Sequence, residues 1–148
     1  MPDNKAIVRR LLETVWSKGQ LTVIEELISK DFVGYWPLRP EPVRGPADYK
    51  EFVSETRHIF PDLSMRILEE IGEGEIVASR FEVTSTQRGE FLTIPPTNKK
   101  LTVECLAFSR VLNGKIVETH VQMDVFKILC ALGVVSDKMT AHAHTVTH

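Results

Sequence analysis

The sequence predicts an α+β domain in which helices come first and an antiparallel sheet follows. Apolar residues recur at helical spacing in the first part of the chain, and the period changes to the alternation typical of strands after roughly residue 60. An Asn-Gly pair joins the last two strand-like runs. The predicted element order is therefore ααβαββββα, which is an α+β arrangement.

Two helices are expected before the first strand. Asp3 or Asn4 can cap a helix over residues 3–18, and Gly19 can end it. Its apolar positions recur at helical spacing: Ala6, Ile7, Leu11, Leu12, Val15 and Trp16. A second short helix over residues 21–29 follows, so the two helices form a hairpin.

The middle of the chain combines a short strand, a loop and a third helix. Residues 31–38 are rich in aromatic side chains and predict a strand that ends at Pro37. The Pro-rich stretch 39–46 predicts an irregular loop. Residues 46–59 predict a helix with Pro46 near its first turn.

Four strands and a last helix complete the predicted domain. The strands are expected over residues 63–72, 75–87, 101–112 and 115–123, and the helix over residues 125–132. Asn113 and Gly114 predict a tight hairpin between the last two strands. A strongly curved sheet with helices on one face leaves a cone-shaped cavity, which is a natural site for a small molecule.

Length and composition indicate one domain. The chain has 148 residues, of which 43% are apolar and 26% charged, in the range of ordinary globular proteins. We expect the domain to cover residues 1–135 and residues 136–148 to form a flexible tail. The net charge of −2 gives no electrostatic reason to expect nucleic acid or an anionic membrane as a partner. With no long apolar run and no signal-peptide pattern, the expected location is cytoplasmic.

The cysteines and histidines do not predict a metal site. Cys105 and Cys130 lie in apolar runs, where free thiols usually pack as small hydrophobic groups. Three histidines occur in the C-terminal tail, His142, His144 and His148. They could bind a metal adventitiously, but a frayed terminus is the simpler expectation.

The last predicted strand carries polar residues along one face. Glu118, His120, Gln122 and Asp124 alternate with Val117, Thr119, Val121 and Met123. Composition leaves open which of the two faces meets the helices. The polar face can point to solvent, as on a half-exposed sheet. It can also line the cavity, where His120, Gln122 and Asp124 would converge among aromatic side chains.

Asp124 has two interpretations. It stands where a strand passes into a helix, so its carboxylate can cap that helix. It can also serve as a general acid/base, because apolar walls raise the pKa of a carboxylate into a useful range.

Several stretches resemble the SnoaL-like polyketide cyclase family of the NTF2-like superfamily. They include the segment that ends in FPDL, the IPPT loop and the GKIVE strand, in this order, followed by Asp124 and the ending DVFKILCALG. The resemblance runs from about residue 3 to residue 135. Three positions depart from the usual pattern: His120 replaces an aromatic residue, Ser85-Thr86-Gln87 replaces Gly-Thr-His, and Thr97-Asn98 replaces Thr-Gly.

The resemblance implies an α+β cone that assembles as a homodimer through its sheet. It also implies ring closure by intramolecular aldol condensation on a small hydrophobic carbonyl compound, without metal or organic cofactor. The carboxylate that moves the proton would be Asp124, with His120 beside the ligand.

Other residues are candidates for binding the substrate. Gln122 can orient it, and Arg80 or Arg110 can stabilise an enolate oxygen if either points inward. Otherwise both arginines are solvated charges of the sheet. The aromatic candidates for the walls and mouth are Trp16, Tyr35, Trp36 and Phe108.

Two functions therefore remain open at the level of sequence. One is a cofactor-independent cyclase or a proton-transferring isomerase. The other is a non-catalytic module whose cone holds a hydrophobic metabolite or whose sheet binds a partner. An exposed face with Val103, Ala107, Val117 and Val121 would suit a dimer.

Overall fold

The computed structural model describes residues 3–135. The first helix, α1 (Asn4–Arg10), is capped by Asp3, whose side chain accepts a hydrogen bond of 2.8 Å from the backbone N–H of Ala6. The helix continues directly into a π-helical segment, Leu11–Ser17. Gly19 follows with a φ of +71°, a conformation that glycine adopts without strain.

Three further helices are short or medium in length. A 3₁₀ turn, Leu21–Val23, leads into α2 (Ile24–Leu27). Helix α3 (Gly45–Ile59) has a proline in its first turn, as predicted. Helix α4 (Val125–Ala131) follows the last strand. No helix within residues 3–135 has the length and apolarity needed to cross a membrane.

Six strands form one sheet. They are β1 (Ile28–Tyr35), β2 (Val43–Arg44), β3 (Ser64–Glu73), β4 (Ile76–Thr86), β5 (Lys100–Leu112) and β6 (Lys115–Met123). Their order is β2-β1-β6-β5-β4-β3, and the neighbours are antiparallel except β1 and β6, which run parallel. The two-residue strand β2 was not predicted, because it is formed inside the Pro-rich loop.

The hairpin between β5 and β6 confirms the prediction from Asn113 and Gly114. Both residues have positive φ values, +51° and +78°. A two-residue turn with this backbone twists the two strands in the hand that the sheet requires.

A bulge in β3 changes which face its side chains reach. Met65 and Ile67 pair with Val83 and Phe81, but the register shifts before Glu69. Ile71, which would otherwise share the inner face with Ile67, is 62% exposed on the outer face.

The core lies between the helices and the inner, concave face of the sheet. Residues from α1, the π-helical segment and α3 pack against inward-facing residues of the strands, including Val8, Val15, Val53, Phe32 and Phe81. This curved sheet and its helices enclose the cavity that the sequence predicts. The predicted tail, residues 136–148 with its three histidines, lies outside the described residues.

Candidate functional site

A cavity of about 360 Å³ lies between the helices and the inner face of the sheet. Its size falls in the range of small-molecule sites. Most of its lining is apolar, and the polar groups within it are few. The cone is therefore not filled by the protein's own side chains.

Strand alternation decides which residues reach the cavity. The inward side chains of β4, β5 and β6 form three cross-strand rows: Val77, Ser109 and Thr119; Ser79, Ala107 and Val121; Phe81, Cys105 and Met123. All but Val77 line the cavity. The alternate residues of the same strands point away from it, to the outer face.

Aromatic side chains form the opposite wall. Trp16, Trp36 and Phe52 line the cavity and pack edge-on around Tyr49 or one another, with ring centroids 4.7 to 6.0 Å apart. Gly34 makes room for this cluster, since a Cβ there would lie 2.6 Å from both Phe32 and Trp36.

Tyr49 is a buried hydrogen-bond donor in this wall. It is 2% exposed, and its hydroxyl oxygen accepts a bond of 2.8 Å from Nε1 of Trp16. Burial raises the pKa of Tyr49 well above its ordinary value, so the hydroxyl stays protonated. The hydroxyl proton has no acceptor among the described residues.

Three hydroxyl groups from three strands form a polar patch on the sheet wall. Ser109 and Thr119 lie opposite each other, and their hydroxyl oxygens are 3.2 Å apart. Ser79 lies in the adjacent row, and its buried hydroxyl has no hydrogen-bond partner in the part of the chain that the structure describes. In the next row, burial raises the pKa of Cys105 to about 12, so its thiol is neutral and unsuited to act as a nucleophile.

Two charged residues lie among the cavity-lining groups. Arg39 lies over the ring of Phe52 at 5.0 Å and is 3.6 Å from Asp48, while its Nε has no hydrogen-bond partner. Glu55, on α3, is exposed to solvent and also borders the cavity. Sequence reasoning missed both, because neither lies in a recognisable motif.

The loop between β4 and β5 also borders the cavity, through Phe91 and Leu92. The fully buried Gln87 holds this loop. Its Nε2 donates to three backbone oxygens, those of Gly89, Ile94 and Pro95. Its Oε1 accepts hydrogen bonds from the backbone N–H and the hydroxyl of Thr97.

Asp124 lies beyond the row that contains Met123 and caps α4. Its Oδ1 accepts a hydrogen bond of 3.0 Å from the backbone N–H of Lys127. Its Oδ2 accepts none from residues 3–135, and the side chain is exposed. Met123 and Ile128 line the rim of the cavity, whereas Asp124, next to Met123 in the chain, does not line the cavity itself.

The outer face holds most of the other predicted site residues, and the expected inward placement is wrong for them. His120 and Gln122 alternate with Thr119 and Val121, so they point away from the cavity. They border a second, more open pocket of about 360 Å³ on the outer face. Tyr35 stacks on His120 at 4.8 Å, and Phe108 is 61% exposed.

Arg80 and Arg110 are also on the outer face, in ion-pair networks. Arg80 pairs with Glu69 and Glu104, and Arg110 pairs with Glu75 and Glu118. The hydrogen bonds from His120 and Arg110 lower the pKa of Glu118. Neither arginine can reach an oxygen in the cavity, which corrects the suggested electrophile role.

The prediction of which sheet face forms a dimer is also wrong. Val103, Ala107 and Val121 line the cavity, so they are unavailable to a second copy. The aromatic candidates Trp16 and Trp36, by contrast, do line the cavity. Among residues 3–135, no three His, Cys, Asp or Glu side chains are grouped as ligands of one metal ion.

Solved structures resemble this chain over most of its length. IdmH of Streptomyces antibioticus, a candidate polyketide cyclase, is 28% identical, with a TM-score of 0.74 over 87% of this chain and 97% of that one. AclR of Streptomyces galilaeus, a candidate hydroxylase, is 26% identical, with a TM-score of 0.80 over 97% and 91%.

A candidate SnoaL-like polyketide cyclase from Jannaschia sp. CCS1 shares the fold, with 20% identity and a TM-score of 0.80 over 91% of this chain and 98% of that one. No curated protein matches the sequence. The family description "SnoaL-like polyketide cyclase" matches residues 6–132, nearly the whole domain. The chain therefore belongs to the SnoaL-like polyketide cyclase family and has its NTF2-like cone.

Proposed function

We propose that this protein binds a small hydrophobic carbonyl compound in the cone and catalyses proton transfer on it, with aldol ring closure as the reaction. The observation that carries the proposal is the open, largely apolar cavity with a neutral hydroxyl donor in its wall. Such a cavity favours a ligand that is mostly hydrocarbon with a few oxygen atoms.

The reaction needs one base and one group that stabilises an oxyanion. The carboxylate of Asp124 at the rim takes a proton from a carbon flanked by carbonyls. The resulting enolate carbon attacks a second carbonyl of the same molecule, so a C–C bond forms and the attacked oxygen becomes an alkoxide. The alkoxide takes the proton back, and the product is an isomer of the substrate.

Tyr49 is the group in the wall suited to the enolate oxygen. It is neutral and already oriented by Trp16, so it can donate without reorganisation. Tyr49 thus takes the role of stabilising the enolate oxygen that the sequence suggested for Arg80 or Arg110. His120 and Gln122 have no part in the chemistry, because they lie on the outer face.

Substitution of Asp124 by Asn tests the proposed base. Asn caps helices about as well as Asp, so Asp124→Asn removes the base and keeps the cap. Aromatic compounds that carry a 1,3-dicarbonyl side chain and, ortho to it, a ketone as the carbonyl to be attacked are incubated with the protein in D₂O. Deuterium uptake above the uncatalysed rate and the cyclised isomer are measured. We expect a loss of about 10²- to 10⁴-fold in both, the usual contribution of a general base.

Glu55→Gln is the matched comparison, because Glu55 is the carboxylate that borders the cavity directly. Full activity in Asp124→Asn together with its loss in Glu55→Gln would move the base to α3. Binding of the compounds without deuterium uptake or cyclisation in the wild-type protein would contradict catalysis.

A binding module is the second candidate function. Among residues 3–135, no buried carboxylate, imidazole or amine lines the cavity, and this favours binding without catalysis. The buried polar groups that line it include hydroxyls and a thiol. Saturable binding with no chemical change would support this function.

We also propose a homodimer through the outer face of the sheet, as the family resemblance implies. Exposed apolar side chains lie there among ion pairs of both signs: Tyr35, Ile71, Leu106 and Phe108. A face with both charges and apolar contacts can complement a second copy of itself.

Sedimentation of Phe108→Glu tests this dimer. Phe126→Glu is the matched control, since Phe126 is also exposed but lies on α4. The proposal expects monomers only for Phe108→Glu. A wild-type chain that stays monomeric at high concentration would contradict it.

A further inference from the structure

The hydroxyl of Ser79 has no hydrogen-bond partner among residues 3–135. Ser79 is 4% exposed and lies on the wall of the cavity. Buried hydroxyls are nearly always paired, because an unpaired one costs about 1–3 kcal/mol. An unpaired hydroxyl that faces a cavity indicates a partner in that cavity.

The neighbouring residues direct Ser79 towards a ligand and not towards the protein. Ser109 and Thr119 lie within hydrogen-bonding distance of each other, at 3.2 Å, so they satisfy one another. Ala107 is the cross-strand partner of Ser79, and its side chain offers no polar atom. Val121 completes the row and offers no polar atom.

Apart from Ser109 and Thr119 in the adjacent row, the wall around Ser79 is mostly apolar. Phe81, two residues further along β4, and Leu11 and Leu12 of the helical wall all line the same cavity. A ligand in this space is held mainly by apolar contact, and one polar contact then decides between molecules of similar shape.

We propose that Ser79 determines ligand specificity, by forming a hydrogen bond with an oxygen of the molecule bound in the cone. The cavity then selects hydrophobic compounds that carry a carbonyl or hydroxyl group over hydrocarbons of the same shape. The inference rests on the proposed function only in that the cone binds a ligand. It assigns to β4 a recognition role separate from the chemistry at the rim.

A matched pair of probes tests the inference: 1-tetralone and tetralin, which share a two-ring skeleton and differ at the ketone. Their affinities are measured from the fluorescence of Trp16 and Trp36, which line the cavity. The wild-type protein is compared with Ser79→Ala and with Thr84→Val. Thr84 is the control, because it lies on the same strand but alternates with the residues that line the cavity.

We expect Ser79→Ala to weaken binding of 1-tetralone by roughly 3- to 10-fold, the worth of one net hydrogen bond. Binding of tetralin should be unchanged in that variant, and Thr84→Val should leave both affinities unchanged. Because Ser79→Ala removes an unpaired buried group, its midpoint of thermal unfolding should equal or exceed that of the wild type.

Each other outcome overturns the inference in a distinguishable way. If Ser79→Ala binds 1-tetralone as tightly as the wild type, the hydroxyl does not recognise the ligand, although the cone remains a binding site. If both probes weaken equally, the hydroxyl acts on packing or on a bound water. If neither probe binds the wild type, binding in the cone fails together with the inference.

Discussion

The hydroxyl oxygen of Tyr49 accepts a hydrogen bond of 2.8 Å from the indole Nε1 of Trp16, although the two residues are 33 positions apart in the chain. The bond connects the π-helical segment to α3 across the wall of the cavity. It satisfies the Trp16 donor and leaves the hydroxyl proton of Tyr49 without an acceptor among the described residues. One contact therefore supports both the fold and the proposed chemistry.

Tyr49→Phe should separate these two roles. The change leaves the buried Trp16 N–H unpaired, so the free energy of unfolding should fall by about 1–3 kcal/mol in urea titrations. Turnover of the dicarbonyl compounds should fall because the enolate oxygen loses its donor. The Trp16→Phe variant keeps the hydroxyl of Tyr49. It should therefore catalyse deuterium uptake by the compounds faster than the Tyr49→Phe variant does. Equal activity of wild type and Tyr49→Phe would contradict the donor role.

Asp124 should stabilise the protein through its cap, whatever its part in catalysis. Asp124→Ala removes the bond to the N–H of Lys127 and should lower the free energy of unfolding by about 1 kcal/mol. The free energy of unfolding of Asp124→Asn should stay within a few tenths of a kcal/mol of the wild-type value, because Asn retains the capping oxygen. A thermal midpoint that is unchanged in Asp124→Ala would show that the cap contributes nothing.

Asp62 should make stability depend on acid pH. Desolvation opposes ionisation, but hydrogen bonds from the Thr86 hydroxyl and N–H, each 2.7 Å long, hold the pKa of Asp62 below its ordinary value of 3.8. A carboxyl with a lowered folded pKa stabilises the protein above its unfolded pKa, and this contribution is lost as the pH falls through the folded pKa.

Asp62→Asn should therefore be less stable than the wild type at neutral pH. The expected loss is only about 1 kcal/mol, because solvent around the exposed side chain weakens the interaction. The difference should shrink as the pH falls below 3.8 and through the lowered folded pKa of Asp62. Urea midpoints measured from pH 7 to pH 2.5 check this. A stability difference that stays constant over that range would argue against ionisation as its cause.

Gln87 should control the order of the loop over residues 88–99. Gln87→Met keeps the length of the buried side chain but removes five hydrogen bonds, so backbone exchange with D₂O should quicken in that loop. Gln122→Met is the control, since Gln122 is exposed on the outer face. If exchange in the loop is equally slow in both variants, Gln87 does not hold it.

The elements could be predicted from the sequence because local signals and the final fold agree. The Asn113–Gly114 turn, the proline at the start of α3 and the apolar spacing of residues 3–18 are all local. The strand β2 and the parallel pairing of β1 with β6 depend on contacts across the whole chain, so the local pattern did not show them.

The site was predicted less well than the fold because a strand has two faces. Alternation places His120 and Gln122 together but does not say which face meets the helices. Here the inner face carries Thr119 and Val121, so the small and apolar set lines the cavity. The placement of Ser79 and Tyr49 needed the packed structure, because neither lies in a motif.

The most direct test asks which face of the sheet holds the ligand. Val103 faces the cavity and Leu106 is on the outer face of the same strand, so their methyl groups report on the two faces. NMR of the methyl-labelled protein with 1-tetralone should give intermolecular NOEs to Val103 and Val121, and none to Leu106. NOEs to Leu106 or Ile71, with none to Val103 or Val121, would contradict binding in the cone.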